Sequence, residues 1–476
     1  MCYQSAIVHI SDTEFGPKNR AEQKIIKEHY GENAYKSMIN DLLSDIKEEV
    51  INKYNITPEK IGFIFTGDIT DTADHEEFKK AEEWIKYTFK ELKIPPKQIA
   101  IVPGNHDVNW KDCEENYKTE LQKQTHDPKS VKEQMRRSPI KLSKFADFFY
   151  IMCGKNFEIQ SATIFEEFEK LGIVLIGLDT TYPSLWTEKD NYGAIAVEQI
   201  KAAREHLKDM LAKNGELISI AAMHHSLLPN LESDKEKKRG SYLHYAEDVK
   251  RWLEMDHGFD IVLCGHEHTS RSSRSVGENF SVLVTGSFGL CYNELIKRYE
   301  EGQRLTTNKY QIILVGPNRQ LKFLYRKLNR EDLAYPLGKW VEDKSSGRCF
   351  DKINLQQREV GIEYPKEFAV DIINTSSVKS SSKKDDKHSM ICMTVNEATL
   401  FPSRVKLVKY KIEPGGEEVL GDPCCNFLAA IHLTELEGRS ISANIEFENG
   451  EKINAEANIP PVYNPSDYIL FANYNV

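Results

Sequence analysis

The sequence predicts a layered α/β domain followed by a smaller, strand-rich C-terminal region. Three observations carry that reading. Up to about residue 330, short apolar and often β-branched runs alternate with helical patterns, as strands buried in a mostly parallel sheet do. Over Thr375–His388 (TSSVKSSSKKDDKH) the text turns polar and loses its period. Beyond that stretch, apolar and polar residues alternate on both sides of Asn449-Gly450, the dipeptide that best marks a tight hairpin.

The strands follow in order. Ala6–Ile10, Ile61–Thr66, Ile99–Val102, Ile173–Leu178, Leu217–Met223, Asp260–Cys264 and Ser281–Thr285 are each bounded by Gly, Asp, Asn or Pro. Tyr310–Val315 and Leu321–Tyr325 read as a closing hairpin around Gly316, Pro317 and Asn318. Between them, Met38, Leu42, Ile46 and Val50 share one helical face, as do Val197, Ile200, Ala203, Leu207 and Leu211. Helices on both sheet faces are therefore expected. A polar, charged and helical stretch from about 109 to 150 interrupts the alternation and is expected to be an inserted cap. The expected divisions are a first domain over 1–330, a connecting segment over 331–374, a linker over 375–388 and a β module over 389–476.

Composition bounds the rest. The chain has 476 residues, 40% of them hydrophobic and 29% charged, which suits two or three globular domains. The start, MCYQSAIVHISD, has no basic segment ahead of an apolar one, so neither export nor a membrane span is expected. The net charge of −10 argues against a protein that wraps duplex DNA through a basic stripe. Nine scattered cysteines without CxxC or Cys/His zinc spacing fit a reducing compartment, and a cytoplasmic location is expected.

The informative residues stand just after the predicted strands, where an open α/β sheet places its chemistry. The first strand runs into Asp12-Thr13-Glu14, the second into Gly67-Asp68 with Asp71 beyond it, and the third into Gly104-Asn105-His106-Asp107. Two later strands end in His224-His225 and in Gly265-His266-Glu267-His268. Together they gather carboxylates, an amide oxygen and imidazoles, a mixed oxygen and nitrogen set without thiolate. Such a set suits two closely spaced divalent ions such as Mn, Fe or Zn.

The series DxH, GDxxD, GNHD, H and GHxH resembles that of the calcineurin-like metallophosphoesterases, and four of its five motifs match outright over roughly residues 5–328. The resemblance implies a four-layer α/β/β/α sandwich and a dinuclear metal centre. It implies that Asp12, Asp68 and His268 hold one ion and that Asp68, Asn105, His224 and His266 hold the other, Asp68 bridging them. It further implies a phosphoesterase in which a hydroxide between the ions attacks phosphorus in line. His106 would then act on the leaving group or on developing charge, with Asp107 setting its tautomer. His225 is expected beside the ligands rather than among them. Asp71 is expected to brace its loop, Glu267 to act as a spacer, and His9 to be packed in the strand layer.

The first motif of that family normally ends in His, and here the position is Glu14. If Glu14 ligates, the added oxygen donor favours Mn or Fe over Zn. The expected substrate is a phosphodiester, a nucleotide or a nucleic-acid end. Arg136, Arg137, Lys237, Lys238, Arg239, Arg271 and Arg274 are candidates for a basic rim that attracts it. The alternative reading is a regulatory protein built on a weakened phosphoesterase, its β module recognising a protein partner through an exposed strand edge.

Overall fold

The computed structural model describes residues 3–23, 27–28, 34–122, 128–185, 192–228, 243, 246–254, 258–274, 280–291, 307–329, 338–344, 352–355, 370–378, 388–395, 405–413, 418–420, 429–433, 440–447 and 452–458. The chain forms two compact units, Met1–Val360 and Gly361–Val476.

The strands of the first unit are β1 (Ser5–Ile10), β2 (Ile61–Thr66), β3 (Ile99–Val102), β4 (Thr163–Ile164), β5 (Ile173–Gly177), β6 (Ile218–Ala222), β7 (Ile261–Cys264), β8 (Arg271–Arg274), β9 (Ser281–Val284), β10 (Lys309–Val315), β11 (Gln320–Asn329), β12 (Lys339–Glu342) and β13 (Lys352–Asn354). One sheet has the order β12-β11-β10-β1-β2-β3, with β13 also beside β11. The other has the order β4-β5-β6-β7-β9-β8. β1, β2 and β3 run parallel, and so do β5, β6, β7 and β9. Their carboxyl ends therefore emerge together along each sheet.

The layers follow from side-chain alternation. In the second sheet Ile173, Leu175, Ile218, Ile220, Ile261, Leu263 and Leu283 join the core shared with the first sheet. Their neighbours Val174, Ile176, Ala221, Val262, Val282 and Val284 join a separate core with Ile200, Ala203 and Leu207 of the helix Val197–Lys213. Period two sends successive residues to opposite faces, so one sheet serves two cores. On the first sheet, Phe63 and Phe65 meet Phe89 and Trp84 of the helix His75–Leu92. That helix starts in a capping box of Asp74 and Glu77, an arrangement that satisfies two orphan donors of the first turn. Met38, Leu42, Ile46 and Val50 are fully buried on the expected face. Mixed α/β architecture with two sheets between helices is thus what the chain adopts.

His9 is packed in the strand layer as expected. It lies opposite Gln311 in register and accepts that residue's amide N–H at 2.5 Å on Nδ1, while Nε2 donates to Thr66 Oγ1 at 2.8 Å. Burial drives its pKa down to about 3, so it stays neutral.

The packing departs from expectation in three places. The cap consists of the helices Trp110–Gln122 and Pro128–Arg137, but the next helix, Ser143–Cys153, buries Phe145, Phe148 and Phe149 in the main core. Its aromatic face was hidden by the charge-rich text before it. The first unit also continues past 330, because β12 pairs with β11 and brings Trp340 into the core. Finally, Thr375–Val378 ends a strand rather than opening a linker; β14 (Val370–Val378) pairs antiparallel with β15 (His388–Val395). The intervening 379–387 lie outside the described residues.

The second unit is strand-rich. Its other strands are β16 (Val405–Glu413), β17 (Glu418–Leu420), β18 (Ala429–Leu433), β19 (Ser440–Phe447) and β20 (Lys452–Asn458). Two antiparallel sheets form, β14-β15-β18 and β17-β16-β19-β20. β19 and β20 pair antiparallel from Ser440 opposite Asn458 to Glu446 opposite Lys452, on either side of Asn449-Gly450. The turn itself lies outside the described residues. Among the described residues, no helix is long and apolar enough to cross a membrane.

Candidate metal centre

The expected residues meet where the carboxyl ends of β1, β2, β3, β6 and β7 converge. Two groups of donors form there. Asp68, His224 and His266 offer ligand atoms within 4.8 Å of one another, and so do Asp12, Glu14 and His268. Backbone bonds between loops hold them: Asp12 N–H donates to Gly67 O at 3.1 Å and Glu14 N–H to Asp68 O at 2.9 Å. Five of the seven candidate donors have left-handed backbone, with φ of 53° at Asp12, 43° at Glu14, 50° at Asp68, 68° at His266 and 56° at His268. That conformation costs a non-glycine residue roughly 1–2 kcal/mol, and such strain gathers at functional sites.

The first group consists of two carboxylates and an imidazole. His268 Nε2 lies 3.6 Å from Asp12 Oδ1 and 3.7 Å from Glu14 Oε1, and all three side chains are buried. Asp12 Oδ2 also accepts the His266 backbone N–H at 3.2 Å, which ties the two groups together. Glu14 thus stands among the candidate donors of its group. Two carboxylates drawn into a buried space call for positive charge between them.

The second group makes the stronger case. His224 Nδ1 donates to Thr66 O at 2.7 Å; a carbonyl only accepts, so this nitrogen carries the hydrogen. In a neutral His224, Nε2 then bears a lone pair. Around it lie Asp68 Oδ2 at 3.2 Å, Asn105 Oδ1 at 3.2 Å and His266 Nδ1 at 3.1 Å. Such a knot of electron-rich atoms is held by a proton or by a cation. Burial alone would lower the pKa of His224, but the Asp68 carboxylate outweighs it and raises the value to about 9. Burial works the other way on Asp68, and the charge of His224 nevertheless holds its carboxyl well below the usual range. Burial and the neighbouring His225 and His224 push His266 well below the usual imidazole value. This donor set fits a divalent ion, which would take the place of the His224 proton.

Small residues permit the approach. A Cβ on Gly104 would lie 2.1 Å from Asp68 Oδ1. One on Gly193 would lie 2.4 Å from the His225 ring. His225 is accordingly wedged between Gly193 and His266, its ring centroid 4.4 Å from that of His266 and its Nδ1 2.8 Å from Thr180 Oγ1. It lies beside the candidate donor His266.

His106 and Asp107 part company. His106 N–H donates to Asp68 Oδ1 at 2.8 Å, and its Nδ1 donates to Asp71 O at 2.7 Å. The imidazole is partly open, with 16% of the side chain exposed. Asp107 was expected to set its tautomer, and it does not. Its carboxylate instead accepts from the N–H groups of Gly104 at 2.9 Å, Thr70 at 3.0 Å and Ile69 at 3.2 Å. The reason is the 3-10 turn Asn105–Asp107, which rotates successive side chains by about 120°. Burial, then the Asp68 charge, raises the Asp107 pKa to about 7. The tautomer of His106 is fixed by the Asp71 carbonyl, which no local pattern could have disclosed. Asp71 also braces its loop through Lys18 Nζ at 2.7 Å.

Three residues of the expected basic rim are paired with acidic neighbours. Arg136 and Arg137 pair with Glu133 at 3.2 and 3.1 Å, and Arg271 pairs with Glu267. Glu267 is therefore more than a spacer. Lys237, Lys238 and Arg239 lie outside the described residues. Sequence reasoning also missed Trp110 and Lys141. Trp110 Nε1 donates to Asn105 O at 3.0 Å. The buried Lys141 Nζ donates to Thr181 O at 2.5 Å and Tyr182 O at 3.1 Å.

Fold and site together define an α/β protein that gathers two buried oxygen-and-nitrogen donor groups at its sheet ends. The profile of the calcineurin-like phosphoesterases matches residues 5–270, more than half of the sequence, and the chain belongs to that family. The C-terminal unit lies outside the match. The metallophosphoesterase-like protein YydB of Bacillus subtilis is 23% identical over 235 residues, 47% of this chain and 45% of its own. A probable glycerophosphodiester phosphodiesterase, GpdQ of Arcobacter nitrofigilis, is 33% identical over 101 residues, 21% of this chain and 29% of its own. The chain thus spans less than half the length of either relative. Among solved structures, the purple acid phosphatase PPD1 of yellow lupin is 10% identical with a TM-score of 0.39, over 74% of this chain and 53% of its own. The phosphopantetheinyl hydrolase PptH of Mycobacterium tuberculosis is 11% identical with a TM-score of 0.28, over 60% of this chain and 91% of its own.

Proposed function

We propose that this protein is a metal-dependent hydrolase of phosphodiesters, a nucleotide or a nucleic-acid end being the substrate. The observation that carries the reading is the pair of donor groups, Asp12–Glu14–His268 and Asp68–His224–His266, each within 4.8 Å. Asp12, Glu14 and His268 would hold one divalent ion. Asn105, His224 and His266 would hold the other, and Asp68 would bridge the two. Family members act on phosphate esters, and the family normally binds two divalent metals. Oxygen donors dominate the first group, which favours Mn, with Fe or Zn as competitors.

Bound ions supply Lewis acidity: they neutralise the ester's charge and acidify water. The chain's residues do the rest. Asp68 Oδ1 is pinned by the His106 backbone N–H, so its other oxygen is free to face the second group. His224 presents Nε2 because Thr66 O holds its Nδ1 hydrogen. His106, with Nδ1 bound to Asp71 O, keeps Nε2 to hold or deliver a proton at the leaving oxygen. Asp107 ties the loops after β2 and β3 to each other and takes no part at substrate. All proposed donors precede residue 269, so residues 361–476 are assigned no role in hydrolysis. The free thiols Cys113, Cys153, Cys264 and Cys291 accord with a cytoplasmic, reducing location.

The test is hydrolysis of bis-p-nitrophenyl phosphate and p-nitrophenyl phosphate by the chelator-stripped protein after addition of Mn, with cyclic nucleotides and single-stranded DNA and RNA in the same panel. Mn-dependent cleavage of diesters ahead of the monoester is expected. Monoester preference would reassign the substrate, and absence of any turnover would favour a regulatory protein.

A further inference from the structure

Trp110 opens the first cap helix, four residues beyond His106, and it touches the candidate site twice. Its indole N–H donates to the carbonyl of Asn105 at 3.0 Å. Its ring lies 5.7 Å from the His106 ring, centroid to centroid, tilted by 30°. The imidazole Nδ1 is tied to Asp71 O. The ring of His106 is thus set by one hydrogen bond and one aromatic face, and the aromatic face comes from the cap.

The cap is itself fixed to the domain. Asn109 N–H donates to Lys141 O at 2.7 Å, and Lys141 reaches the carbonyls of Thr181 and Tyr182 just beyond β5. Asn109 also bonds through its side chain to Asp112 at the start of the helix. The indole therefore stands on an anchored helix rather than on a loose loop.

We propose that Trp110 is a positioning residue, holding the Asn105–His106 turn so that the imidazole is aimed at the leaving group. The proposal rests on the hydrolase reading above and on His106 acting in it. Asn105 Oδ1 faces His224 Nε2, so a turn that slips displaces a donor and the imidazole together. Displacements of about 1 Å at a reacting centre cost up to roughly 100-fold in rate.

Trp110→Ala and Trp110→Phe are made in the full chain, alone and combined with His106→Ala, and kcat and KM are measured with Mn on an alkyl phosphodiester. Trp110→Ala should lower kcat about 10- to 100-fold with KM nearly unchanged. That loss should be several-fold smaller when His106 is already Ala, the remainder reporting the displaced Asn105 donor, the non-additivity expected of residues acting in part through one another. Trp110→Phe keeps a ring but lacks the N–H and should recover part of the rate. Equal losses with and without His106, or wild-type kcat in Trp110→Ala, overturn the proposal. If Trp110→Ala fails to fold, Trp110→Phe carries the same comparison. If the unsubstituted protein hydrolyses no ester, the functional reading fails on its own. Side-chain nitrogen NMR of His106 then decides for Trp110: its signals should broaden or split in the Trp110 variants, and unchanged signals overturn the proposal.

Discussion

Raising the pH from 8 to 10.5 should stabilise this protein through one residue, Lys141. Its side chain is fully buried, with its ammonium on two backbone carbonyls. Burial lowers its pKa from 10.5 to about 8, against an opposing pull from Asp179. Below pH 8 both folded and unfolded chains hold the proton, and the burial penalty is constant. Between 8 and 10.5 the folded chain has released it while the unfolded chain still binds it. Stability rises wherever the unfolded state binds more protons. At about 1.4 kcal/mol for each tenfold change in proton affinity, the full gain is about 3 kcal/mol. The assay is urea unfolding followed by tryptophan fluorescence at pH 7 to 10.5, for the wild type and Lys141→Met. Taking the difference removes every other titrating group. The variant's stability at pH 7 is not the readout, because loss of a buried charge and loss of two hydrogen bonds oppose each other. A difference that stays flat across the window would refute the reasoning and put Lys141 in contact with solvent.

Three more outcomes are expected. Asp68→Asn should release both metals together, read by elemental analysis after gel filtration, because Asp68 is proposed to bridge the two groups; two retained ions would refute the bridge. Glu14→Ala should raise the dissociation constant for Mn at one site more than that for Zn, measured by calorimetry, since it removes a hard oxygen donor. Equal affinities in variant and wild type would place Glu14 outside the ligand set. A chain ending at Val360 should fold and keep the proposed hydrolytic activity at the level of the full chain, because the first unit is compact by itself; insolubility would show that it depends on the rest.

Much of this was legible because strands and candidate donors announce themselves locally. β1, β2, β3, β5, β6, β7, β9, β10 and β11 were found within a few residues of their ends, since β-branched runs bounded by turn residues have few alternatives. Motif residues at those ends then converge by topology alone. What failed depended on rotation or on distant partners. Asp107 follows His106 in the sequence, yet the 3-10 turn directs it to the loops after β2 and β3. Trp110 is two contacts away from its role, through an N–H and a ring that no periodicity encodes. β14 was missed altogether: its first residues fell in the expected connecting segment and its last, TSSV, in a text of Ser and Lys, although extended backbone needs only a partner strand.

The left-handed backbone at Asp12, Glu14, Asp68, His266 and His268 bears on how this protein would respond to selection. Glycine occupies that conformation more readily than the residues found there. A screen rewarding thermal tolerance alone would therefore enrich glycine at the proposed donor positions, and each such winner would lose a candidate donor side chain. With the proposed donor roles, stability and activity would trade against each other at the same five positions, within the backbone itself. Engineering for robustness should accordingly leave these loops untouched and draw its gains from surfaces remote from them.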